Sequence, residues 1–361
     1  MVCFPGSVQT PAPTRALPIS PLMRRALVAA IALGSVLVCA LPALGQGVPP
    51  VPREWKLSTA LGPAYPQGKA AEIWAALIRE RSAGRLNVAL FPGATLAQRD
   101  PAREFAALRD GRIDLAVGST AAWALQVQEL NLIALPWLVP DAAGLDRLLE
   151  GAVASRLAES VQAAGVVPLA WANAGFHELA TRRAVHAPAD LKGVLLRVAA
   201  TPLLLDTLLA LGVRPATMDA TAAMVAQRNG ALDGEVISVA AYRTSRLYAE
   251  GLPHLLVWGA HADALLFAVN RAVWDGLSDP DRDLVRQAAR EAAVQASALA
   301  RKQADAAALA ELAREGATVT RLTPSGKQRF KEASRAVYER WAALVGADLV
   351  HAAEAALAPP R

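Results

Sequence analysis

The stretch Ala-Pro-Ala-Asp-Leu-Lys-Gly-Val-Leu-Leu-Arg-Val at residues 187–198 predicts a short helical turn, a glycine stop and then a buried strand over 191–198. Arg197 interrupts the apolar part of this strand. Because a guanidinium cannot lose its proton in a protein, it needs an anionic partner or water. Two interpretations follow: an exposed strand or structural ion pair, or a fork that binds a carboxylate.

The chain on both sides of this stretch repeats a pattern of strands that alternate with amphipathic helices ending at glycines. This alternation predicts an α/β fold built on mainly parallel sheets, and its repetition predicts two lobes. Ligands of such sheets bind beyond the carboxyl ends of strands, which indicates the region of Tyr65, Ser119 and Trp123. The predicted strands are residues 55–61, 85–91, 113–117, 166–171, 176–181, 191–198, 213–218, 235–239, 255–258 and 265–270; the main predicted helices are 68–82, 99–109, 142–164, 201–211, 220–228 and 279–314.

Composition excludes several classes of partner. The 361 residues are 54% hydrophobic, which indicates a large folded core. The net charge is +5, but Arg15, Arg24 and Arg25 lie in an N-terminal segment without acidic residues, so the remainder carries only +2. That charge is too small to indicate binding to nucleic acid or to an anionic membrane. We expect neither as a partner.

The motifs point to binding rather than catalysis. The sequence has no dinucleotide fingerprint, no phosphate-binding loop and no nucleophile elbow. Its five histidines do not occur at metal-ligand spacing. We therefore expect no metal, no cofactor and no enzymatic activity.

The N-terminal segment has the pattern of a secretory signal peptide. A basic pair precedes the apolar run 26–41, and small residues follow it up to Gly45, our predicted cleavage site. Residues 1–22 are proline-rich and precede Met23, an alternative start. The alternatives to cleavage at Gly45 are an uncleaved anchor helix and a lipoprotein site at Cys39. Both cysteines lie in segment 1–45, so the mature protein would have no thiol, a state compatible with the periplasm.

A series of short motifs in a fixed order is the most specific signal in the sequence. It resembles the solute receptors of tripartite ATP-independent periplasmic (TRAP) transporters, the DctP-like family, over about residues 54–357. The motifs are Phe-Pro-Gly-Ala-Thr-Leu at 91–96, Leu-Arg-Asp-Gly-Arg-Ile-Asp-Leu-Ala at 108–116, Leu-Pro-Trp-Leu at 135–138, Gly-Phe-His at 175–177, Leu-Lys-Gly-x-x-x-Arg-Val at 191–198, Leu-Gly-Val-x-Pro-x-x-Met at 211–218, Gly-Ala-Leu-Asp-Gly-Glu at 230–235, His261, Asn-Arg-Ala-Val-Trp at 270–274 and Tyr-Glu-Arg-Trp at 338–341.

The resemblance implies a two-lobed periplasmic-binding-protein fold with a hinge between the lobes and a long helix spanning both. We expect lobe I to comprise 51–172 and 263–302, and lobe II to comprise 173–262 and 303–361. It also implies a monomeric periplasmic receptor that binds a small organic acid and passes it to the membrane permease subunits of a TRAP transporter. Two alternatives are a ligand-sensing partner of a membrane signalling protein and a periplasmic enzyme.

The resemblance also assigns candidate ligand residues. In the family, the Arg at the position of Arg197 pairs with the ligand carboxylate. Many members carry a second Arg where this chain has His177, and an Asn near the position of Ile237. The pocket should therefore be less cationic and less polar than that of a dicarboxylate receptor, which predicts a monocarboxylate with an apolar body.

The remaining candidates are two polar residues and an apolar wall. Glu235 is expected to be structural, because a carboxylate would repel a carboxylate ligand. His177 is expected either to donate a hydrogen bond to the ligand or to lie exposed on its strand. The candidate wall residues, for which core packing is the alternative, are Trp123, Trp137, Phe176 and Met218.

Overall fold

The computed structural model describes residues 54–198, 201–218 and 220–358; the predicted signal segment at 1–45 lies outside them. One nine-stranded sheet organises these residues. Its strands are β1 (Glu54–Thr59), β2 (Asn87–Pro92), β3 (Leu115–Ser119), β4 (Val166–Thr181), β5 (Leu195–Arg197), β6 (Arg214–Ala216), β7 (Gly234–Ser238), β8 (His254–Asn270) and β9 (Thr318–Arg321). The strand order is β2-β1-β3-β8-β4-β7-β5-β6, with β9 paired to β8 beside this path.

Helices cover both faces of the sheet. The α-helices are α1 (Pro66–Arg81), α2 (Glu104–Arg109), α3 (Thr120–Trp123), α4 (Asn131–Ala134), α5 (Ala142–Glu150), α6 (Ala152–Ala163), α7 (Pro202–Ala210), α8 (Ala220–Arg228), α9 (Val239–Thr244), α10 (Arg271–Asp275), α11 (Asp279–Ala304), α12 (Ala306–Arg314), α13 (Pro324–Val345) and α14 (Ala347–Leu357). Short 3₁₀ turns lie at Thr95–Ala97, Pro101–Arg103, Gln128–Leu130 and Pro188–Leu191. None of the helices within the described ranges is long and apolar enough to cross a membrane.

The sheet contains two parallel units joined by two long antiparallel strands. In the first unit β1 lies between β2 and β3, and in the second β5 lies between β6 and β7, all in parallel pairs. Strands β4 and β8 run antiparallel between them. The predictions of separate strands at 166–171 and 176–181, and at 255–258 and 265–270, were wrong. Pairing continues through both gaps because β-bulges absorb the residues that interrupt the pattern.

A wide bulge marks the place where β8 changes neighbours. His177 of β4 is opposite His261 and Leu179 is opposite Leu256, so four residues of β8 face Glu178 alone. The buried Glu178 carboxylate accepts hydrogen bonds from the backbone N–H groups of Trp258 (2.8 Å) and Gly259 (3.0 Å). On one side of the bulge β8 pairs with β3, and on the other with β9. Burial raises the pKa of Glu178 to about 7, against the lowering effect of these two N–H groups.

The long predicted helix at 279–314 consists of two helices. Asp305 has extended backbone angles and its carboxylate accepts the N–H of Ala308 at 2.8 Å, so it ends α11 and caps α12. The predicted helix at 142–164 is likewise divided at Gly151. Helix α11 packs against α1 and β4 and also contacts α9. Its buried face is made of small side chains that allow this close approach: Val285, Ala288, Ala289, Ala292, Ala293, Ala296 and Ala300.

The strand that contains Arg197 is shorter than predicted. The 3₁₀ turn Pro188–Leu191 confirms the predicted helical turn, but strand β5 begins only at Leu195. Gly193, with φ of 74°, donates its N–H to the carbonyl of Gly212 (2.7 Å) and delays the strand. Leu196 is fully buried, so Arg197 belongs to the opposite face of β5.

Candidate functional site

Arg197 lies at the end of β5, directly opposite Glu235 of β7. Its Nη1 forms an ion pair with Glu235 Oε1, and its Nε donates to the carbonyl oxygen of Met218 at 3.2 Å. One quarter (25%) of the Arg197 side chain is exposed. The other nitrogen, Nη2, has no hydrogen-bond partner among the described residues. The guanidinium therefore has a structural ion pair and still has N–H groups available to a ligand.

The Glu235 carboxylate is buried, with only 6% of its side chain exposed. Its second oxygen accepts a hydrogen bond from Gln227 Nε2 at 2.8 Å, and Gln227 is itself buried. Both oxygens of Glu235 are thus satisfied within the protein. Glu235 consequently compensates the charge of Arg197 and fixes its orientation.

A second ion pair joins His177 of β4 to Asp263 of β8. His177 Nε2 lies 3.4 Å from Asp263 Oδ2, and 26% of the His177 side chain is exposed against 9% for Asp263. Because a carboxylate only accepts hydrogen bonds, the ring nitrogen that faces it carries the proton. The other ring nitrogen, Nδ1, has no partner among the residues that the structure describes.

Asp263 is held mainly by the junction where β3 passes directly into α3. Its oxygens accept hydrogen bonds from the hydroxyls of Ser119 (2.7 Å) and Thr120 (2.9 Å) and from the backbone N–H groups of Ala121 (3.2 Å) and Ala264 (2.9 Å). Ser119 also caps α3. The predicted site residue Ser119 therefore acts here through Asp263, which is fixed by donors that are independent of His177.

These contacts favour the ionised form of both partners. Burial alone would lower the pKa of His177, but the hydrogen bond and charge of Asp263, together with the charge of Glu178, raise it above its ordinary value. Burial alone would raise the pKa of Asp263, but His177, Ser119 and Thr120 lower it. Both shifts favour an imidazolium–carboxylate pair.

His261 lies opposite His177 in the strand register but has a different state. It is buried, and its Nδ1 lies 2.7 Å from the carbonyl oxygen of Ala134, to which it donates. Burial lowers its pKa to about 4, and the charge of His177 adds to this effect. His261 is therefore a neutral histidine at pH 7.

The two ion pairs are linked by β7. Glu235 faces Arg197, and Ser238, three residues further along β7, is opposite His177. Three residues span about 10 Å of strand. Arg197 and His177 thus lie on the two strands that flank β7, three register positions apart, near the point where β7 leads into α9.

The aromatic candidates occupy different surroundings. Trp123 is fully buried and packs edge-on against Phe105 (ring centroids 5.5 Å apart), so its indole presents no surface to a ligand in this structure. Trp137 packs against Trp258 and donates its indole N–H to Ser334 Oγ at 3.1 Å. It lines a cavity of about 610 Å³ whose walls include neither ion pair.

Three further candidates lie on strands β4 and β7 and in the β1–α1 loop. Phe176 precedes His177 and is partly buried against the core. Ile237 is partly buried against the hydrophobic cluster that contains Tyr242. Tyr65, at the start of α1, has its hydroxyl 3.1 Å from Ser245 Oγ, so it joins the β1–α1 loop to the residues that follow α9.

Sequence reasoning missed Asp263 and Gln227. The signal for Asp263 is visible: it is the single acidic residue in the apolar run 260–269 of β8. A lone carboxylate in such a run requires buried donors. Gln227 has no comparable signal, because a glutamine near the end of a helix is ordinary.

Comparison with known proteins identifies the family to which this chain belongs. The model of the family described as "Bacterial extracellular solute-binding protein, family 7" (DctP) matches residues 57–344. The chain belongs to this family. The TRAP resemblance seen in the sequence is thereby confirmed, and the chain is a solute-binding receptor of the TRAP type.

Three similar proteins show which members of family 7 this receptor resembles. A TRAP periplasmic solute-binding protein from Ralstonia eutropha H16, solved with bound (S)-2-acetolactate, is 43% identical, with a TM-score of 0.82 over 84% of this chain and 98% of that one. The C4-dicarboxylate-binding periplasmic protein DctP of Vibrio cholerae is 26% identical over 303 residues, which are 81% of this chain and 87% of that protein. An uncharacterised protein of Sinorhizobium fredii is 31% identical over 258 residues, 71% of this chain but 47% of that protein, so this receptor spans about half of its length.

Proposed function

We propose that this protein is a periplasmic receptor that captures a small monocarboxylate and delivers it to the membrane subunits of a TRAP transporter. Arg197 holds the ligand carboxylate through N–H groups that its ion pair leaves available. No step of chemistry is involved: the ligand favours the closed arrangement of the lobes by binding it more tightly.

The observation that supports a monocarboxylate is the charge balance of the site. Arg197 is paired with Glu235, and His177 is paired with Asp263. Each pair has no net charge but offers N–H donors. One ligand carboxylate can use the several free N–H groups of Arg197, which stays charged, whereas a second would find only the single free N–H of His177, which titrates. Taking an anion from water with so few donors is costly.

Similarity supports the same ligand class. The relative of higher identity, at 43%, binds 2-acetolactate, a branched acid with one carboxylate. The relative named for C4-dicarboxylates is 26% identical. We therefore place the ligand among short branched monocarboxylates with an oxygen substituent near the carboxylate.

Export and delivery follow from the family and from the N-terminus. A cleavable signal peptide at residues 1–45 would bring the receptor to the periplasm, where proteins of this family act. The partner there is the set of membrane permease subunits of a TRAP transporter. Uptake of a labelled acid into vesicles containing those subunits should depend on added receptor.

The ligand is tested by calorimetry on the exported protein with 2-acetolactate, 2-oxoisovalerate, 2-hydroxyisovalerate, succinate and malate. We expect at least one branched monocarboxylate to bind at least about 100-fold more tightly than either dicarboxylate, because the second carboxylate must be desolvated with at most the single N–H of His177 as its partner. Mass spectrometry of the co-purified ligand is an independent measurement. A selective response to succinate or malate would contradict the proposal.

A further inference from the structure

We infer that the His177–Asp263 pair sets the receptor's preference between 2-oxo and 2-hydroxy acids, and that this preference reverses with pH. The inference rests on the proposed function, because it takes the ligand carboxylate to be held by Arg197. It adds a role for the second ion pair: His177 Nδ1 contacts the oxygen next to the carboxylate.

The first step is that the ring is fixed in orientation. Asp263 is pinned by two hydroxyls and two backbone N–H groups, apart from His177. Its Oδ2 faces His177 Nε2, so the Nε2 proton is retained in both protonation states. Titration of the ring therefore takes place at Nδ1.

The second step is that Nδ1 is the part of the ring available to a ligand. The side chain is 26% exposed, and Nδ1 has no hydrogen bond within the described part of the chain. In the imidazolium Nδ1–H is a donor, and in the neutral ring Nδ1 is an acceptor. One atom can thus present opposite hydrogen-bonding character to the same ligand oxygen.

The charged groups around the His177 ring all raise its pKa. From β8 it faces Asp263, and its neighbour on β4 is Glu178; both favour the imidazolium. His261 of β8 is neutral, Ser238 of β7 is uncharged, and the β3–α3 junction contributes the Ser119 and Thr120 hydroxyls and the backbone N–H of Ala121. The pKa of His177 is therefore raised above 6.5, its ordinary value.

The third step is the chemistry of the ligand oxygen. A 2-oxo oxygen only accepts, so it binds the imidazolium and loses its partner when Nδ1 is deprotonated. A 2-hydroxyl accepts from the imidazolium but also donates to neutral Nδ1. Acidic pH should therefore favour the oxo acid, and alkaline pH the hydroxy acid, while Arg197 holds the carboxylate throughout.

The test is calorimetry with 2-oxoisovalerate and 2-hydroxyisovalerate between pH 5.5 and 9. These acids share one carbon skeleton and one carboxylate, and both stay ionised over this range. We expect the Kd of the oxo acid to rise by up to about tenfold per pH unit above the pKa of His177, the limit for one linked proton. The Kd of the hydroxy acid should change by less than about threefold.

Two variants separate His177 from other titrating groups. His177→Gln keeps a polar side chain that does not titrate, so the ratio of the two Kd values should become independent of pH. The matched control is His351→Gln, which changes an exposed histidine of α14 and should leave the wild-type pH profile intact. NMR titration of the His177 ring, with and without the oxo acid, should show its pKa raised by the ligand.

The outcomes distinguish the two proposals. If neither acid binds and succinate does, the proposed function fails. If both acids bind and their Kd ratio is constant across pH, or if His177→Gln retains the wild-type profile, the assignment of His177 is overturned while the receptor function stands.

Discussion

The Arg197–Glu235 and His177–Asp263 pairs are built from the same kinds of groups but in opposite ways. In the first pair the cation is permanent, because a guanidinium stays charged at any pH at which the protein folds. Its carboxylate depends on two donors, Arg197 and Gln227. In the second pair the carboxylate is permanent, held by four donors besides the histidine, and the cation titrates.

This difference assigns the two pairs different roles: Arg197 holds the ligand carboxylate, and His177 distinguishes one acid from another. A ligand carboxylate is common to all organic acids, so its partner needs a constant charge, which Arg197 supplies. The rest of the ligand distinguishes one acid from another, and its partner benefits from being able to donate or accept. The comparison predicts that variants of the first pair change affinity for every acid, whereas variants of the second change the response to pH.

The largest effect is expected for Arg197→Ala. Loss of the charge-assisted hydrogen bonds should weaken binding of every acid by at least about 100-fold, near 3 kcal/mol. The free energy of unfolding should also fall by about 3 kcal/mol, because Glu235 is left as a buried carboxylate without its cation. Calorimetry measures the first effect and urea unfolding the second.

Two further variants separate these losses. Combining Arg197→Ala with Glu235→Gln removes the uncompensated charge, so stability should recover while binding remains lost. Arg197→Lys keeps the charge but lacks the planar fork, and should bind with intermediate affinity. Unchanged affinity in Arg197→Ala would disprove the anchoring role.

A smaller, pH-dependent effect is expected for Asp263→Asn. The raised pKa of His177 gives a stabilisation that is complete below pH 6.5 and is lost as pH rises through the folded pKa. The lowered pKa of Asp263 gives one that is present above pH 3.8 and is lost as pH falls through its folded pKa. The pair therefore contributes most in mildly acidic solution.

Urea unfolding at pH 5, 7 and 9 measures this contribution. Asp263→Asn should cost about 2 kcal/mol of unfolding free energy at pH 5 and less at pH 9, where a smaller fraction of His177 is protonated in the wild type. His177→Gln serves as a control, because it should remove the pH-dependent part and leave the donors of Asp263 in place. An equal loss at all three pH values would show that His177 and Asp263 are not coupled.

The sequence allowed prediction of the local parts of the fold but not of the strands that join them. The alternation of strands and helices around β1–β3 and β5–β7 is a local pattern, and glycines mark most of its ends. Residues of β4 and β8 that pair are separated by 73 to 104 positions in the sequence, and bulges at Leu169, Ala174 and Glu178 break their periodicity. Such pairing depends on contacts that no local window contains.

The site likewise contains residues that a local sequence pattern reveals and residues whose role depends on distant contacts. Arg197, His177 and Glu235 are conspicuous because each is a charged or titratable residue beside apolar strand positions. Asp263 is equally unusual but acquires its meaning from Ser119 and Thr120, more than 140 residues earlier in the chain. Trp123 shows the opposite case. Its position after β3 predicts a side chain at the ligand-binding edge of the sheet, but the tryptophan is buried in the core.

The smallest change in stability is expected when one neutral hydrogen-bond donor to each buried carboxylate is removed. Gln227→Met removes one of the two donors of Glu235, and Ser119→Ala removes one of the several donors of Asp263. Because the remaining donors of Asp263 share its charge, Ser119→Ala should cost about 0.5 kcal/mol and Gln227→Met about 1.5 kcal/mol of unfolding free energy. Affinity for the preferred acid should change less than about threefold in Gln227→Met, since Arg197 remains paired with Glu235. Equal losses of stability in the two variants would show that the carboxylates are held alike, and that the contrast between a permanent cation and a permanent anion does not extend to their supporting donors.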